Sequence, residues 1–145
     1  MIGSFLKYGT KYTAIEYAEK NIFNLLQLVK KKNELLIHEK NQFQKEADCI
    51  QHLKNENHAF LIVNNEEVLS KKIDFLKNDN TYALKAAFPN IKIRDFYYEV
   101  YHTPLASFVC IIRKSYIDAL LEKYTKNGIA IIDFSLGNLA IQNIK

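Results

Sequence analysis

Residues 22–29, I-F-N-L-L-Q-L-V, constrain this chain more than any other stretch. Ile22, Leu25, Leu26, Leu28 and Val29 are too uniformly apolar for the in–out alternation of a half-solvated strand. A strand of this kind is covered on both faces, which demands a layered fold with helices packed against a sheet. Its neighbours fit that demand. Residues 12–18 and 34–39 read as strands on either side, and K-K-K-N-E supplies the second hairpin turn because Asn33 tolerates left-handed geometry.

The period then changes. Phe43, Ala47, Ile50 and Leu53 fall at helical spacing over residues 42–55, and H-A-F-L-I-V (58–63) is a buried strand. Asn64-Asn65 reads as a hairpin turn into a strand over 68–75. A helix over 79–88 can be capped by Asp79 or Asn80 and is stopped by Pro89. Residues 95–101 (D-F-Y-Y-E-V-Y) and 107–113 (S-F-V-C-I-I-R) are strands. Ser115-x-x-Asp118 reads as a capping box for a helix whose buried face is Ile117, Leu120, Leu121 and Tyr124. Asn127-Gly128 ends that helix, I-A-I-I-D-F is a last buried strand, and 136–143 begins another helix.

From 68 to 134 the order is strand, helix, strand, strand, helix, strand, the split arrangement of ferredoxin-like domains. The expected fold class is therefore α+β. Residues 1–66 form a three-stranded meander with a helix and a strand, 67–134 a ferredoxin-like βαββαβ subdomain, and 135–145 the start of a return helix.

Composition excludes several function classes. The 145 residues carry 20 Lys and Arg against 16 Asp and Glu, and only Lys30-Lys31-Lys32 forms a run, which reads as a solvated turn. A nucleic-acid footprint would cluster its bases on one face. Cys49 and Cys110 lie in different elements and read as buried thiols of a reducing compartment. No stretch approaches the roughly 20 apolar residues of a membrane span, and the start is too short in apolar residues for a signal peptide.

Chemistry is sparse. Cys49 and His52, three apart on one helix with His58 following, could form half a metal site, but no second ligand pair completes it, so no metal is expected. His38 and His102 read as solvated or hydrogen-bonded. Glu16 and Glu19 flank a turn and could act as an acid/base pair, though turn carboxylates are usually solvated. No nucleophile motif is present, and neither a catalytic residue nor a cofactor is expected. The aromatic strand F-Y-Y-E-V-Y suggests base stacking on an open sheet. An RNA-recognition motif, however, needs aromatics where its partner strand P-L-A-S-F-V-C-I has Ala106 and Ile111.

The two strands around a polar turn, K-K-K-N-E, a third strand, a helix, and H-A-F-L-I-V-N-N-E-E-V-L-S-K-K-I-D-F resemble the start of an actin-like ATPase-fold protein. A-L-K-A-A-F-P, Y-Y-E-V-Y and the stretch from S-F-V-C-I-I-R through N-G-I-A-I-I-D-F extend the likeness over essentially the whole chain. The chain resembles the family of the type IV pilus assembly protein PilM and the type II secretion protein GspL. That resemblance implies a partial actin-like lobe with an inserted ferredoxin-like subdomain, in a cytoplasmic scaffold held at the inner membrane by its partners. The implied partners are the cytoplasmic tail of a bitopic membrane protein and an assembly ATPase.

Nucleotide-binding members have a glycine-containing turn where this chain has Ile15-Glu16-Tyr17-Ala18-Glu19-Lys20, and a second nucleotide lobe would have to follow residue 134. Side chains and two carboxylates oppose a phosphate there. A non-enzymatic interaction module is expected. The alternatives are an ATPase fragment active only when complete and an RNA-binding ferredoxin-like domain. If Phe96, Tyr98 and Val100 face the helices, then Tyr97, Glu99 and Tyr101 lie on the open face as the candidate partner-binding residues. Exposed sheet edge implies a homodimer, and neither nucleic-acid binding nor membrane insertion is expected.

Overall fold

A computed structural model describes residues 11–54, 56, 58–74 and 77–138. Strands β1 (Lys11–Ala18), β2 (Ile22–Lys31), β3 (Glu34–Phe43), β4 (His58–Asn64) and β8 (Ala130–Leu136) form one sheet in the order β3-β2-β1-β4-β8. Strands β5 (Leu69–Asp74), β6 (Phe96–His102) and β7 (Ala106–Arg113) form a second, antiparallel sheet in the order β5-β7-β6. Three helices complete the fold: α1 (Glu46–Leu53), α2 (Asn80–Ala87) and α3 (Lys114–Lys126).

The large sheet is built as its sequence demands. β1 and β2 pair antiparallel around a 3-10 turn at Glu19–Asn21, where Lys20 and Asn21 take left-handed φ values of 59° and 54°. β2 and β3 pair around Lys32 and Asn33, at φ 48° and 66°, the mirror-image turn geometry that suits strand twist. Alternation sends Ile15, Tyr17, Phe23 and Leu25 to one face, where α1 supplies Cys49, Ile50 and Leu53 and α3 supplies Ile117, Leu120 and Tyr124. These residues make one continuous core. Inside it the Tyr17 and Tyr124 hydroxyls meet at 2.8 Å, so neither buried O–H is left without a partner.

The small sheet has its own core on one side only. Val109 and Ile111 of β7 pack against Ala83, Leu84 and Ala87 of α2. Cys110 and Ile112, on the opposite face of β7, belong to the larger core.

Four expectations are corrected here. β4 and β5 are not a hairpin pair: both edges of β4 are occupied, by β1 and by β8, so Asn64–Val68 carries the chain from one sheet to the other. The ferredoxin-like unit is divided. β5, α2, β6 and the intervening β7 keep the first split β-α-β order, but β8 leaves them and pairs parallel with β4. The cause is α3: its apolar face is spent on the large-sheet core, so the chain leaving at Gly128 emerges beside β4. The boundary expected at 134 therefore falls inside β8.

Finally, Ser115 and Asp118 form no capping box. α3 begins at Lys114 with no side-chain cap, and Asp118 accepts a hydrogen bond from Tyr97 instead. Asp79 does cap α2, its Oδ1 accepting from the Tyr82 N–H at 3.0 Å. Gly128, at φ 75°, ends α3 as expected. Of the helix expected over 136–143, residues 139–145 lie outside the described residues, and Leu136 is still strand.

Candidate interaction site

Strand β6 carries the three residues singled out from sequence, and alternation does place them on one face. Phe96 and Val100 pack on the α2 side. The opposite face turns toward α3 and β8. Tyr97 is half-buried there, its ring 5.2 Å from that of Phe134, and its hydroxyl donates to Asp118 Oδ1 at 2.7 Å. That hydrogen bond pushes the Tyr97 pKa up by favouring the protonated phenol.

Glu99 reaches the free edge of β8. Its carboxylate accepts from Ser135 Oγ at 2.9 Å and from the Leu136 backbone N–H at 3.0 Å. Burial raises its pKa; the two hydrogen bonds oppose the rise, and nearby Asp133 adds to it. Glu99 thus supplies an acceptor for one backbone amide at the β8 edge. Tyr101 alone of the three is exposed. The structure brings Tyr97 and Glu99 into the joint between the sheets and leaves Tyr101 at its rim. The clue in the sequence was a lone glutamate among aromatics, which marks a carboxylate with a dedicated partner.

The opening turn is accounted for differently. Glu16 lies on the face of the large sheet away from α1 and α3 and accepts from Asn24 Nδ2 at 3.1 Å; Asn24 Oδ1 in turn accepts from Gln42 Nε2 at 3.1 Å. The three residues are cross-strand neighbours on β1, β2 and β3. They form one polar row in an open groove of about 810 Å³, lined also by Ala14, Leu26, Lys40 and Ile62. Glu19 sits in the turn itself, exposed, so the two carboxylates are not brought together as an acid/base pair. The groove was not foreseen from the sequence; its signal was the polar Asn24 in the otherwise apolar start of β2.

Cys49 and His52 face different surroundings. Cys49 is enclosed in the core, where burial, reinforced by Glu46, pushes its thiol up to about 11. His52 lies outside it, with Nε2 at 2.7 Å from Glu39 and its ring against Phe43. No group of three potential metal ligands occurs among the described residues. Both cysteines are free and buried. His102 ties β6 to its neighbours, with Nδ1 at 2.7 Å from Ser107 Oγ and Nε2 at 2.8 Å from Asn80 Oδ1. Ile111 and Ile112, on opposite faces of β7, are both buried, so this strand offers no open platform for stacking bases.

The strand order β3-β2-β1-β4-β8, with α1 and α3 on one face and a small sheet attached, defines a mixed α+β fold. Among solved structures, the chain is similar to the cytoplasmic domain of EpsL, an inner membrane component of the type II secretion system of Vibrio cholerae. The TM-score is 0.60 at 11% identity, over 88% of this chain and 55% of that one. A Bacteroides thetaiotaomicron protein with actin-like ATPase fold and unknown function matches at TM-score 0.47 and 11% identity, over 90% of this chain and 54% of that one. The chain spans about half the length of both structures. No family model matches the sequence, and no curated protein sequence matches it. Among the described residues no helix is long and apolar enough to cross a membrane.

Proposed function

We propose that this chain is a non-enzymatic interaction module of a bacterial secretion or pilus assembly machine, working at the cytoplasmic face of the inner membrane. The observation that carries the reading is the fold shared with the EpsL cytoplasmic domain over 88% of the chain. The local chemistry is in keeping with it. The β1–β2 turn presents side chains rather than glycine amides, and Glu16 is tied to Asn24 in a groove where a phosphate would meet its charge. The partners in this reading are the cytoplasmic tail of a bitopic membrane protein and an assembly ATPase. Tyr101 is the one of the three β6 candidates that a partner reaches without displacing β8.

The test is calorimetry with two titrants. Peptides matching the cytoplasmic tails of the host's bitopic secretion and pilus proteins should bind saturably, and Tyr101→Ala should weaken that binding. Magnesium-ATP should give no saturable heat. Saturable ATP binding would replace the scaffold with a nucleotide-binding lobe, and failure of every tail to bind would remove the proposed partners.

A further inference from the structure

The β2–β3 hairpin is unlike the rest of the surface. Among the described residues, Lys30, Lys31, Lys32, Asn33, Glu34 and Leu35 form the tip of this hairpin, and their pairing runs across β2 and β3 alone. The tip is tight: Lys31 pairs with Glu34, and Lys32 and Asn33 make the turn at φ 48° and 66°. Behind it Leu35, Leu36 and Ile37 are 45%, 46% and 67% exposed, on successive residues and therefore on both faces of the hairpin. Glu34 pairs across the turn with Lys31, and the carboxylate of Glu39 is engaged by His52. Among the described residues no ion pair engages Lys30, Lys31, Lys32 or Lys40.

Three consecutive cations at the point of a rigid hairpin, backed by three exposed aliphatic side chains, match one kind of surface. The cations meet anionic headgroups while the aliphatic groups enter the boundary between headgroups and acyl chains. We infer that the β2–β3 hairpin tip docks on an anionic phospholipid bilayer through Lys30, Lys31 and Lys32, with Leu36 and Ile37 seated in its interface.

The features of the hairpin argue against its other occupants. A single-stranded nucleic acid would use a platform of aromatic rings for stacking, and residues 28–42 contain no Phe, Tyr or Trp. A second copy pairing along β3 would meet the register shift at Gln27/Leu28 and the lysine-rich tip, both devices that blunt an edge. The inference goes beyond the scaffold reading and stands without it, because lipid docking requires no protein partner.

The experiment is co-sedimentation of the whole chain with phosphatidylcholine vesicles, with and without phosphatidylglycerol. Binding should require phosphatidylglycerol and weaken with salt. Each lysine near an anionic surface contributes about five-fold, so the Lys30→Ala/Lys31→Ala/Lys32→Ala variant should bind about a hundred-fold more weakly. The Leu36→Ser/Ile37→Ser variant should also bind less tightly, and unchanged circular dichroism in both variants excludes unfolding as the cause. Absence of binding to phosphatidylglycerol vesicles overturns the inference. So does binding to single-stranded RNA that equals vesicle binding and ignores Leu36→Ser/Ile37→Ser. Concentration-dependent dimerisation abolished by Ile37→Lys, with no vesicle binding, would assign the hairpin to a second copy instead. Tail-peptide binding by the triple lysine variant keeps this outcome separable from that of the scaffold reading.

Discussion

Glu99 of β6 accepts the backbone N–H of Leu136 of β8 at 3.0 Å, so a carboxylate from one sheet supplies an acceptor at the edge of the other. Ser135 Oγ adds a second hydrogen bond to the same carboxylate. Replacing Glu99 with Ala leaves that edge amide unpaired in a partly buried joint, and the expected loss is about 1–3 kcal/mol in urea unfolding. Glu99→Gln keeps one acceptor and should lose less. Equal stability of all three proteins would show that the joint does not depend on this contact.

The same residue gives a pH signature. Burial raises the Glu99 pKa above that of the unfolded chain, so the folded state holds its proton more tightly. Its contribution is fully present below the unfolded value, about 4.3, and is lost as pH rises through the raised folded value. Stability of the native chain relative to Glu99→Gln should therefore fall across that window. A difference between the two proteins that does not change with pH would contradict the raised pKa.

Glu56 should behave in the opposite sense. Burial alone would raise its pKa, but hydrogen bonds from Lys11 Nζ at 2.8 Å and Gln27 Nε2 at 2.9 Å, with the Lys11 charge, outweigh it and hold the carboxyl below its usual value. A depressed folded pKa stabilises above the unfolded value and is lost as pH falls through the folded one. Glu56→Gln should lose stability near neutrality and converge with the native chain in acid, as measured by thermal melts across the acid range.

Tyr17 and Tyr124 make a case for a double-mutant cycle. Their hydroxyls share one hydrogen bond inside the apolar core, and burial drives both pKa values far above that of free tyrosine. Tyr17→Phe strands the Tyr124 hydroxyl and should cost about 1–3 kcal/mol; Tyr124→Phe should cost less, because Glu46 remains a partner for the Tyr17 hydroxyl, and the double Phe variant should cost little more than Tyr17→Phe alone. Additive losses in chemical unfolding would mean the two hydroxyls are not coupled.

Gly128 and Gly137 test the cost of left-handed backbone. Both have positive φ; a Cβ on Gly128 would enter open space, and one on Gly137 would make an ordinary contact with Cys110 Sγ at 3.4 Å. Gly128→Ala and Gly137→Ala should therefore each cost about 1–2 kcal/mol for left-handed geometry. Unchanged melting temperatures in both variants would contradict that strain.

Local patterns in the sequence determined the elements. Apolar runs of strand length, the Lys32-Asn33 turn, the Asp79 cap and the Gly128 stop depend on neighbours a few residues away, and each lies where it was read. They also determined that Tyr97, Glu99 and Tyr101 share a face, because alternation is a property of the strand itself. Tertiary structure alone decided which face that is and what meets it. The order strand, helix, strand, strand, helix, strand is compatible with one sheet or with two. Choosing between them turned on where α3 buries Ile117, Leu120 and Tyr124, a competition between two cores. Once that face went to the large sheet, β8 followed to β4, Glu99 gained an edge amide to accept, and the groove beside Glu16 was left open on the far side. Long-range burial fixes such choices, and it leaves no mark on the spacing of residues along the chain.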